Sequence, residues 1–308
     1  MNLFKAKMAA SLYATMSISF WGISFVSTKA VLDKLDPYTL LTLRFGIGAL
    51  FLCFFLLVKR YRFRLNPAYV PHLIVLGILG VFVHQMLQAT ALLTIDASAA
   101  GWLISFSPVF TVLLSMVFLH ERMTFWRGFG MMIAVCGVLL VTTAGRGETL
   151  QLGMNIGYAL MILSTLNWAV YSVLLKRLSI PLPALAVTFY MSVIGFLLTL
   201  PLFIKHKGIK DMALLTEAEW AHLVFLGVFV SGIAYWYWGK ALEVLEASQV
   251  SVFLYMEPIA TLIAAILVLQ ERIVLISVLG GIIIIVGVGF VNGQLFSFAQ
   301  DLVLRRRK

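Results

Sequence analysis

Residues 247–271 read ASQVSVFLYMEPIATLIAAILVLQE. The stretch is apolar and exceeds the roughly 20 residues with which a helix crosses the hydrocarbon core of a bilayer. Its one interior acid is Glu257, which is followed by Pro258. A carboxylate at that depth costs about 2.5–3.5 kcal/mol, and an interior proline frees a backbone carbonyl that needs another partner. We therefore expect a membrane helix in which these two costly residues have a function.

The chain as a whole is strongly apolar. Of 308 residues, 62% are hydrophobic and 12% are charged, and the mean hydropathy is +1.01. Soluble domains carry about 25% charged residues, so we expect the protein to lie in lipid. The net charge of +10 is distributed in short clusters between apolar runs. That pattern is typical of topology determinants, and we predict no nucleic-acid partner.

Turn residues and charges divide the chain into separate apolar runs, which predict an all-α polytopic membrane protein with ten transmembrane helices. Lys and Arg are concentrated in alternate connecting segments, which places both termini in the cytoplasm. The connection around residues 205–219 has room for one short interfacial helix. The runs are Met8–Leu32, Tyr38–Val58, Val70–Leu92, Ala97–Leu119, Gly128–Ala144, Gly153–Leu175, Ala184–Ile204, Trp220–Leu242, Ala247–Leu269 and Val274–Gly293.

The chain also repeats itself, with five runs in each copy. An odd number of spans starts the second copy on the opposite side of the membrane, so we predict inverted repeats at residues 8–145 and 153–293, with a basic cytoplasmic tail at 294–308. Inverted repeats with a site at their interface are typical of secondary transporters. The matches, at an offset of 147 and later 150 positions, are GVFV at 80–83 with 227–230, Trp21 with Trp168, Lys29 with Lys176, Ala97 and Ser98 with Ala247 and Ser248, Pro108 with Pro258, Glu121 and Arg122 with Glu271 and Arg272, Gly130 with Gly280, and Gly137 with Gly287.

Equivalent helices of two facing repeats should line one central cavity, and polar and aromatic residues share helix faces in several runs. Other interpretations stay open: hydroxyl residues allow close helix packing, aromatic residues form interfacial belts, and a histidine can be a satisfied core residue. The candidate substrate-binding or coupling residues are Glu257, His84, Gln88, Trp21, Ser24, Trp168, Tyr171, Tyr235, Trp238 and Ser105, with Pro108 and Pro258 as candidate helix hinges.

Two charged residues inside the runs have no charged counterpart in the other copy. Ser107 stands at the position equivalent to Glu257, so the repeat itself does not require a carboxylate there. Met191 stands at the position equivalent to Arg44. For Glu257 we favour a function, whereas for Arg44 the structural interpretation is a fixed partner for backbone carbonyls or for an acid.

Charged residues at the ends of the runs have structural interpretations. Lys29 and Lys240 can extend to the membrane interface, and Glu121 and Glu271, each followed by an arginine, are interpreted as paired interface residues. No HExxH, GxSxG, P-loop or Cys/His cluster with metal spacing occurs in the sequence. We therefore predict no enzyme activity, no cofactor and no metal site.

The order of several short motifs resembles the drug/metabolite transporter superfamily, and in particular its EamA-type family with two EamA repeats. The resemblance covers residues 9–293. It implies a ten-helix secondary carrier of the bacterial inner membrane that moves amino acids, other metabolites or xenobiotics, mostly outward. His120 and Gln270 depart from the pattern, because a glycine commonly precedes the glutamate there. The motifs are Trp21 and Gly22 followed by Lys29, Pro37, Arg44, Pro108, HER at 120–122, Pro258, QER at 270–272 and the glycine-spaced last run.

These observations together predict a secondary transporter of small metabolites, an exporter of amino acids or related amines and xenobiotics that works by alternating access. Glu257 would hold an ammonium group or exchange a proton, between aromatic walls. The expected partners are a small-molecule substrate, the lipid bilayer and a proton as candidate coupling ion, in a monomer or a dimer. The alternatives are a membrane-embedded lipid-handling protein or enzyme, and a channel.

Overall fold

The computed structural model is helical, with no strand, across the residues that it describes: 3–61, 65–107, 109–110, 113–114, 125–144, 155–178, 180–245 and 252–291. Pro108, Glu121 and the tail at 294–308 lie outside them. In chain order the principal helices are α1 (Leu3–Leu32), α2 (Pro37–Val58), α3 (Pro67–Leu92), α4 (Ala97–Ile104), α5 (Phe125–Ala144), α6 (Ile156–Leu178), α7 (Ala184–Lys205), α8 (Glu217–Ala241), α9 (Glu257–Leu269) and α10 (Leu275–Val291).

Five of these helices, α1, α2, α3, α7 and α8, are long and apolar enough to cross a membrane. In α5, α6, α9 and α10 the apolar stretch is shorter, and only the first part of the fourth run is described. A polytopic membrane protein is therefore supported, while the count of ten spans stays a prediction. The short helix Gly208–Met212 lies in the connection where the sequence predicted an interfacial helix.

Helices of the two halves pack against each other in a repeating pattern. The helices α2 and α7 are in contact, as are α5 and α10, and each pair joins a helix to its own counterpart. The helix α1 contacts α8 and α9, and the equivalent helix α6 contacts α3 and α4. Exchanging the two halves therefore reproduces these contacts.

The paired counterparts α5 and α10 run antiparallel with their backbones in contact. A Cβ atom placed on Gly137 would lie 2.6 Å from the carbonyl oxygen of Gly280, and one on Gly287 would lie 2.6 Å from that of Gly130. The order is reversed along the two helices, so they point in opposite directions. Glycine at each of these positions lets helices approach this closely in a membrane.

The helices α3 and α8 each contain a π-helical segment, Gly77–Val83 and Phe225–Ala234. Both segments include the repeated GVFV. π-helical turns occur frequently at functional sites, and here side chains of the neighbouring helices bond to their carbonyl groups. Asn167 of α6 donates to the Leu79 carbonyl (2.7 Å), and Ser17 of α1 donates to the Ala234 carbonyl (2.9 Å).

In each half a turn that is not α-helical lies at equivalent positions of the fourth run, Ser105 and Phe106 in the first half and Tyr255 and Met256 in the second. In the first half α4 ends at Ile104, and helical geometry resumes at Ser107 after a turn. In the second half a 3₁₀ turn, Val252–Met256, precedes α9, which begins at Glu257. The sequence placed a proline near the middle of each of these runs as a candidate hinge. Pro258 lies in the first turn of α9. Backbone N–H groups in the first turn of a helix have no hydrogen-bond acceptor within the helix, so a proline there breaks no hydrogen bond. Its role as a hinge stays a prediction.

Candidate functional site

A buried cavity lies where α1, α3, α6 and α8 meet the interrupted fourth helices of both halves. The centre of a water molecule can move through only about 40 Å³ of it, which is room for about three waters at 10–15 Å³ each. In this conformation the cavity is narrow, and a larger solute would need the walls to move apart.

Eight of the ten residues that the sequence proposed for the site lie in the lining of this cavity. They are Glu257, His84, Gln88, Trp21, Ser24, Trp168, Tyr235 and Ser105. Tyr171 and Trp238 are not in the lining. The ring of Tyr171 packs on Trp168 with centroids 5.1 Å apart, and Trp238 packs on Trp21 at 5.2 Å. These two residues thus contact the aromatic side chains that line the cavity.

Sequence reasoning missed six lining residues: Phe25, Gln85, Ile104, Ser107, Leu254 and Tyr255. A signal existed for three of them. Ser107 and Tyr255 stand 150 positions from Glu257 and Ser105, so the repeat could have found them. Gln85 precedes Gln88 by three residues and therefore shares its helix face.

Glu257 enters the cavity from the first residue of α9. The residue is 6% exposed, and its carboxylate makes no hydrogen bond or ion pair with any residue in the described ranges. The first turn of a helix is where the helix dipole favours a negative charge. The backbone here is held firmly, since Thr261 Oγ1 donates to the carbonyl oxygens of Glu257 and Gly22, each at 2.9 Å.

The approach of α1 to this turn requires a glycine. A Cβ atom on Gly22 would lie 2.6 Å from the carbonyl oxygen of Glu257, well inside van der Waals contact. On the other side, a Cβ atom on Gly101 of α4 would lie 2.7 Å from Cβ of Thr261. The glycines of α1 and α4 thus let both helices pack around the acid.

Two further polar atoms of the lining have no hydrogen-bond partner among the described residues, Trp21 Nε1 and Ser105 Oγ. The two residues are 8% and 4% exposed. A buried donor left without a partner costs about 1–3 kcal/mol. Both atoms are buried, so a solute can bind them, together with the Glu257 carboxylate, only when the cavity opens.

His84 is fully hydrogen-bonded within the protein. Its Nδ1 lies 3.1 Å from the carbonyl oxygen of Ser164, and its Nε2 lies 3.2 Å from Nε2 of Gln88. A carbonyl only accepts, so the ring proton is assigned to Nδ1, and Nε2 accepts from the Gln88 amide. The imidazole is therefore neutral in this arrangement, which favours the interpretation of His84 as a satisfied core histidine.

Arg44 is buried behind the cavity and bonds to neutral side chains. Its Nε donates to Ser231 Oγ of α8 (2.9 Å), and its Nη1 donates to Gln85 Oε1 of α3 (2.7 Å). Backbone carbonyls or an acid were the expected partners, and the structure corrects that expectation. Arg44 joins α2 to the two helices that contain π-helical segments, and Gln85 lies between the guanidinium and the cavity.

Glu271, which follows the end of α9, has a structural role at the start of α4. Glu271 accepts from the backbone N–H groups of Ala97 (2.9 Å) and Ser98 (3.2 Å) and from the Ser98 hydroxyl (2.7 Å). It therefore satisfies the first N–H groups of α4. Lys29 Nζ lies 3.8 Å from Glu271 and 3.0 Å from Asp96, so this lysine closes an ion-pair cluster between α1, α4 and α9.

Comparison with known families bears on the alternatives that the sequence left open. The model of the EamA-like transporter family matches residues 8–143 and again residues 155–293. The chain belongs to this family. Both copies of the sequence repeat are thus covered by the same family model.

Relatives of this EamA-like transporter are similar over nearly the full length. An uncharacterized transporter of Archaeoglobus fulgidus is 30% identical over 277 residues, 89% of this chain and 95% of the relative. The uncharacterized transporter YyaM of Bacillus subtilis is 26% identical over 89% of this chain and 90% of its own. A probable terminal-alkyne amino-acid exporter of Streptantibioticus cattleyicolor is 27% identical over 93% and 94%. One crystal structure, at 21% identity, covers 91% of this chain and 94% of its own with a TM-score of 0.66, which shows a shared fold.

The family and the apolar helices together make this EamA-like transporter a multi-pass protein of the bacterial inner membrane. The relatives are named as transporters and not as enzymes. A small-molecule substrate and a lipid bilayer are the partners that fit both the family and the spanning helices.

Proposed function

We propose that this protein is a secondary transporter of small metabolites, an exporter of amino acids or related amines that works by alternating access. One observation carries the proposal: the cavity between the halves is lined by Glu257, Trp21 and Ser105, whose side chains make no hydrogen bond or ion pair with the residues that the structure describes. Ligand sites are typically concave and apolar, with a few convergent polar groups that fix the orientation of the solute.

The helix contacts support the architecture that alternating access needs. Antiparallel pairing of α5 with α10, and contacts that are preserved when the halves are exchanged, are what two inverted repeats would produce. Such repeats favour ten spans with both termini in the cytoplasm, as the basic clusters predict. In inverted-repeat carriers, discontinuous helices form the site and one bundle rocks against the other. The interrupted fourth helices fit that arrangement, with Pro108 and Pro258 as candidate hinges.

The chemistry of the lining supports amines and amino acids as substrates. The Glu257 carboxylate can bind an ammonium group, and the rings of Trp21 and Trp168 offer faces that attract cations. One relative is named a probable amino-acid exporter, which favours the same class. Proton exchange at Glu257 is the second use of this acid, in which a proton would serve as coupling ion.

Counterflow in proteoliposomes tests the proposal. A carrier shows saturable uptake of a labelled amine or amino acid that is stimulated by unlabelled solute on the other side, whereas a channel shows no such stimulation. We expect Glu257→Gln to lower this flux by about tenfold or more, the ratio equivalent to 1.4 kcal/mol, without loss of folded protein.

Glu243→Gln is the matched control. Its carboxylate is 48% exposed and pairs with Lys240 at the end of α8, so the same chemical change there should leave flux unaltered. Equal flux in the wild type and in Glu257→Gln would remove this carboxylate from the mechanism.

A further inference from the structure

Among the described residues that line the cavity, Glu257 is the one acid, and none is a lysine or an arginine. His84 is neutral, since Nδ1 donates to a carbonyl and Nε2 accepts from an amide. A solute that enters therefore meets one carboxylate and neutral groups.

The guanidinium nearest to this lining is held away from it. Arg44 donates from Nε to Ser231 and from Nη1 to Gln85. Gln85 is itself part of the lining, whereas Arg44 is not. A carboxylate on a solute would find no cation to pair with among the described residues around the cavity.

Direct contacts then separate two classes of amine. A monocationic amine can pair its ammonium with the ionised Glu257, whereas an amino acid would also bring a carboxylate that contacts no cation among the described lining residues. Burying a charged group without a partner is strongly unfavourable. The Trp21 N–H, which has no partner among the described residues, adds a second requirement once the cavity opens, because an indole N–H only donates and so calls for an acceptor on the solute.

We propose that the preferred ligand of this cavity is a monocationic amine that carries a neutral hydrogen-bond acceptor, such as a hydroxyl group, and no free carboxylate. The ammonium binds Glu257, the acceptor takes the N–H of Trp21, and the aromatic rings of the lining face the cation. The assignment rests on the transport function proposed above and narrows its substrate class.

Pairs of solutes that differ only at the carboxylate test this assignment. The full-length protein in proteoliposomes is loaded with labelled alaninol or labelled phenylalaninol and is challenged from outside with the same amino alcohol, or with alanine or phenylalanine. A small and a large amino alcohol are both used because the cavity is narrow. We expect the amino alcohol to drive exchange at a concentration at least about tenfold lower than the matching amino acid, the ratio given by 1.4 kcal/mol.

Two results would overturn this assignment. If the amino acids drive exchange as well as the amino alcohols or better, the assignment is wrong while the transport function stands. If none of the four solutes shows saturable counterflow, the proposed amine and amino-acid function fails, and the assignment fails with it.

A charge-neutral variant gives a second measurement. In Glu257→Gln the zwitterion no longer adds to an existing negative charge, so the preference for the amino alcohol should collapse toward equality. A preference retained at full strength in folded Glu257→Gln would overturn the assignment. If this variant does not fold, the wild-type solute pairs decide alone.

Discussion

The α5–α10 contact and the central cavity are both built from equivalent positions of the two halves, yet they differ in how far the halves match. At the contact, Gly130 and Gly137 face Gly280 and Gly287, so each half contributes the same residue at each matched position. In the cavity, Ser107 is matched with Glu257. One region has kept the symmetry of the repeat, and the other has lost it.

The difference follows from what each region contacts. Where backbones touch, only glycine fits, and it must fit in both halves. Where side chains face a solute, nothing requires symmetry, because the solute is not symmetric. Arg44 and its counterpart Met191 show the same divergence one layer behind the cavity. Residues that differ between matched positions are therefore the first places to look for chemistry in such a protein.

The largest effect is expected from a substitution at the contact between α5 and α10. Gly137→Ala would place a Cβ 2.6 Å from the Gly280 carbonyl oxygen, and we expect a loss at the upper end of about 1–3 kcal/mol. Gly128 lies in the same helix, where an added Cβ would meet no atom of the described residues within 4 Å outside its own turn, so Gly128→Ala should instead gain about 0.4–1 kcal/mol of stability. Thermal unfolding in detergent measures both, and equal shifts for the two variants would contradict the contact.

The next largest effect is expected at Arg44, which has no charged counterpart in the second half. Arg44→Met gives the first half the residue of the second and leaves Gln85 and Ser231 without their donor. We expect a loss of about 1–3 kcal/mol in stability, together with reduced flux, because Gln85 lines the cavity. Arg44→Lys keeps the charge but loses the planar guanidinium, whose N–H donors have fixed directions. It should therefore not restore the wild-type stability or flux. If Arg44→Met behaves like the wild type in both assays, the Arg44 bonds have no consequence.

A smaller effect tests whether the halves use the same helix cap. Glu271→Ala removes the acceptor of the first N–H groups of α4, and we expect a loss of about 0.5–2 kcal/mol. Glu271→Gln keeps one acceptor oxygen and should lose less. Glu121 is the sequence counterpart of Glu271, so Glu121→Ala measures whether the cap is a symmetric feature. A null result for Glu271→Ala in thermal unfolding would count against the cap.

The smallest effect concerns an unpaired hydroxyl of the cavity. Ser105→Ala removes a group that bonds to no described residue, so the unfolding midpoint should stay within error of the wild type. If a solute uses this hydroxyl, the half-saturating solute concentration should rise by about two- to tenfold, as expected for one hydrogen bond of 0.5–1.5 kcal/mol. A clear drop in stability would indicate a structural role instead.

Much of this molecule could be predicted from its sequence because hydrophobicity and repetition are local signals. The long apolar runs, the short helix at Gly208–Met212 and most of the cavity lining follow from them. The π-helical segments, the 3₁₀ turn before Glu257 and the bonds of Arg44 do not, since they depend on how a helix of one half packs against the other. Gln85 could have been found from its helix face shared with Gln88, but its bond to Arg44, 41 positions away on another helix, could not.

The exchangeable contacts of the two halves also have an energetic consequence. If each half can adopt the conformation of the other, the protein has two conformations related by this exchange. The contacts between matched positions then stabilise the two conformations almost equally. The populations are then set by the few positions that do not match, such as Arg44 against Met191 and Glu257 against Ser107. A difference of 1.4 kcal/mol at these positions is enough to bias the equilibrium tenfold. In such a molecule a substitution far too mild to unfold the chain can still decide which face of the membrane the cavity opens to.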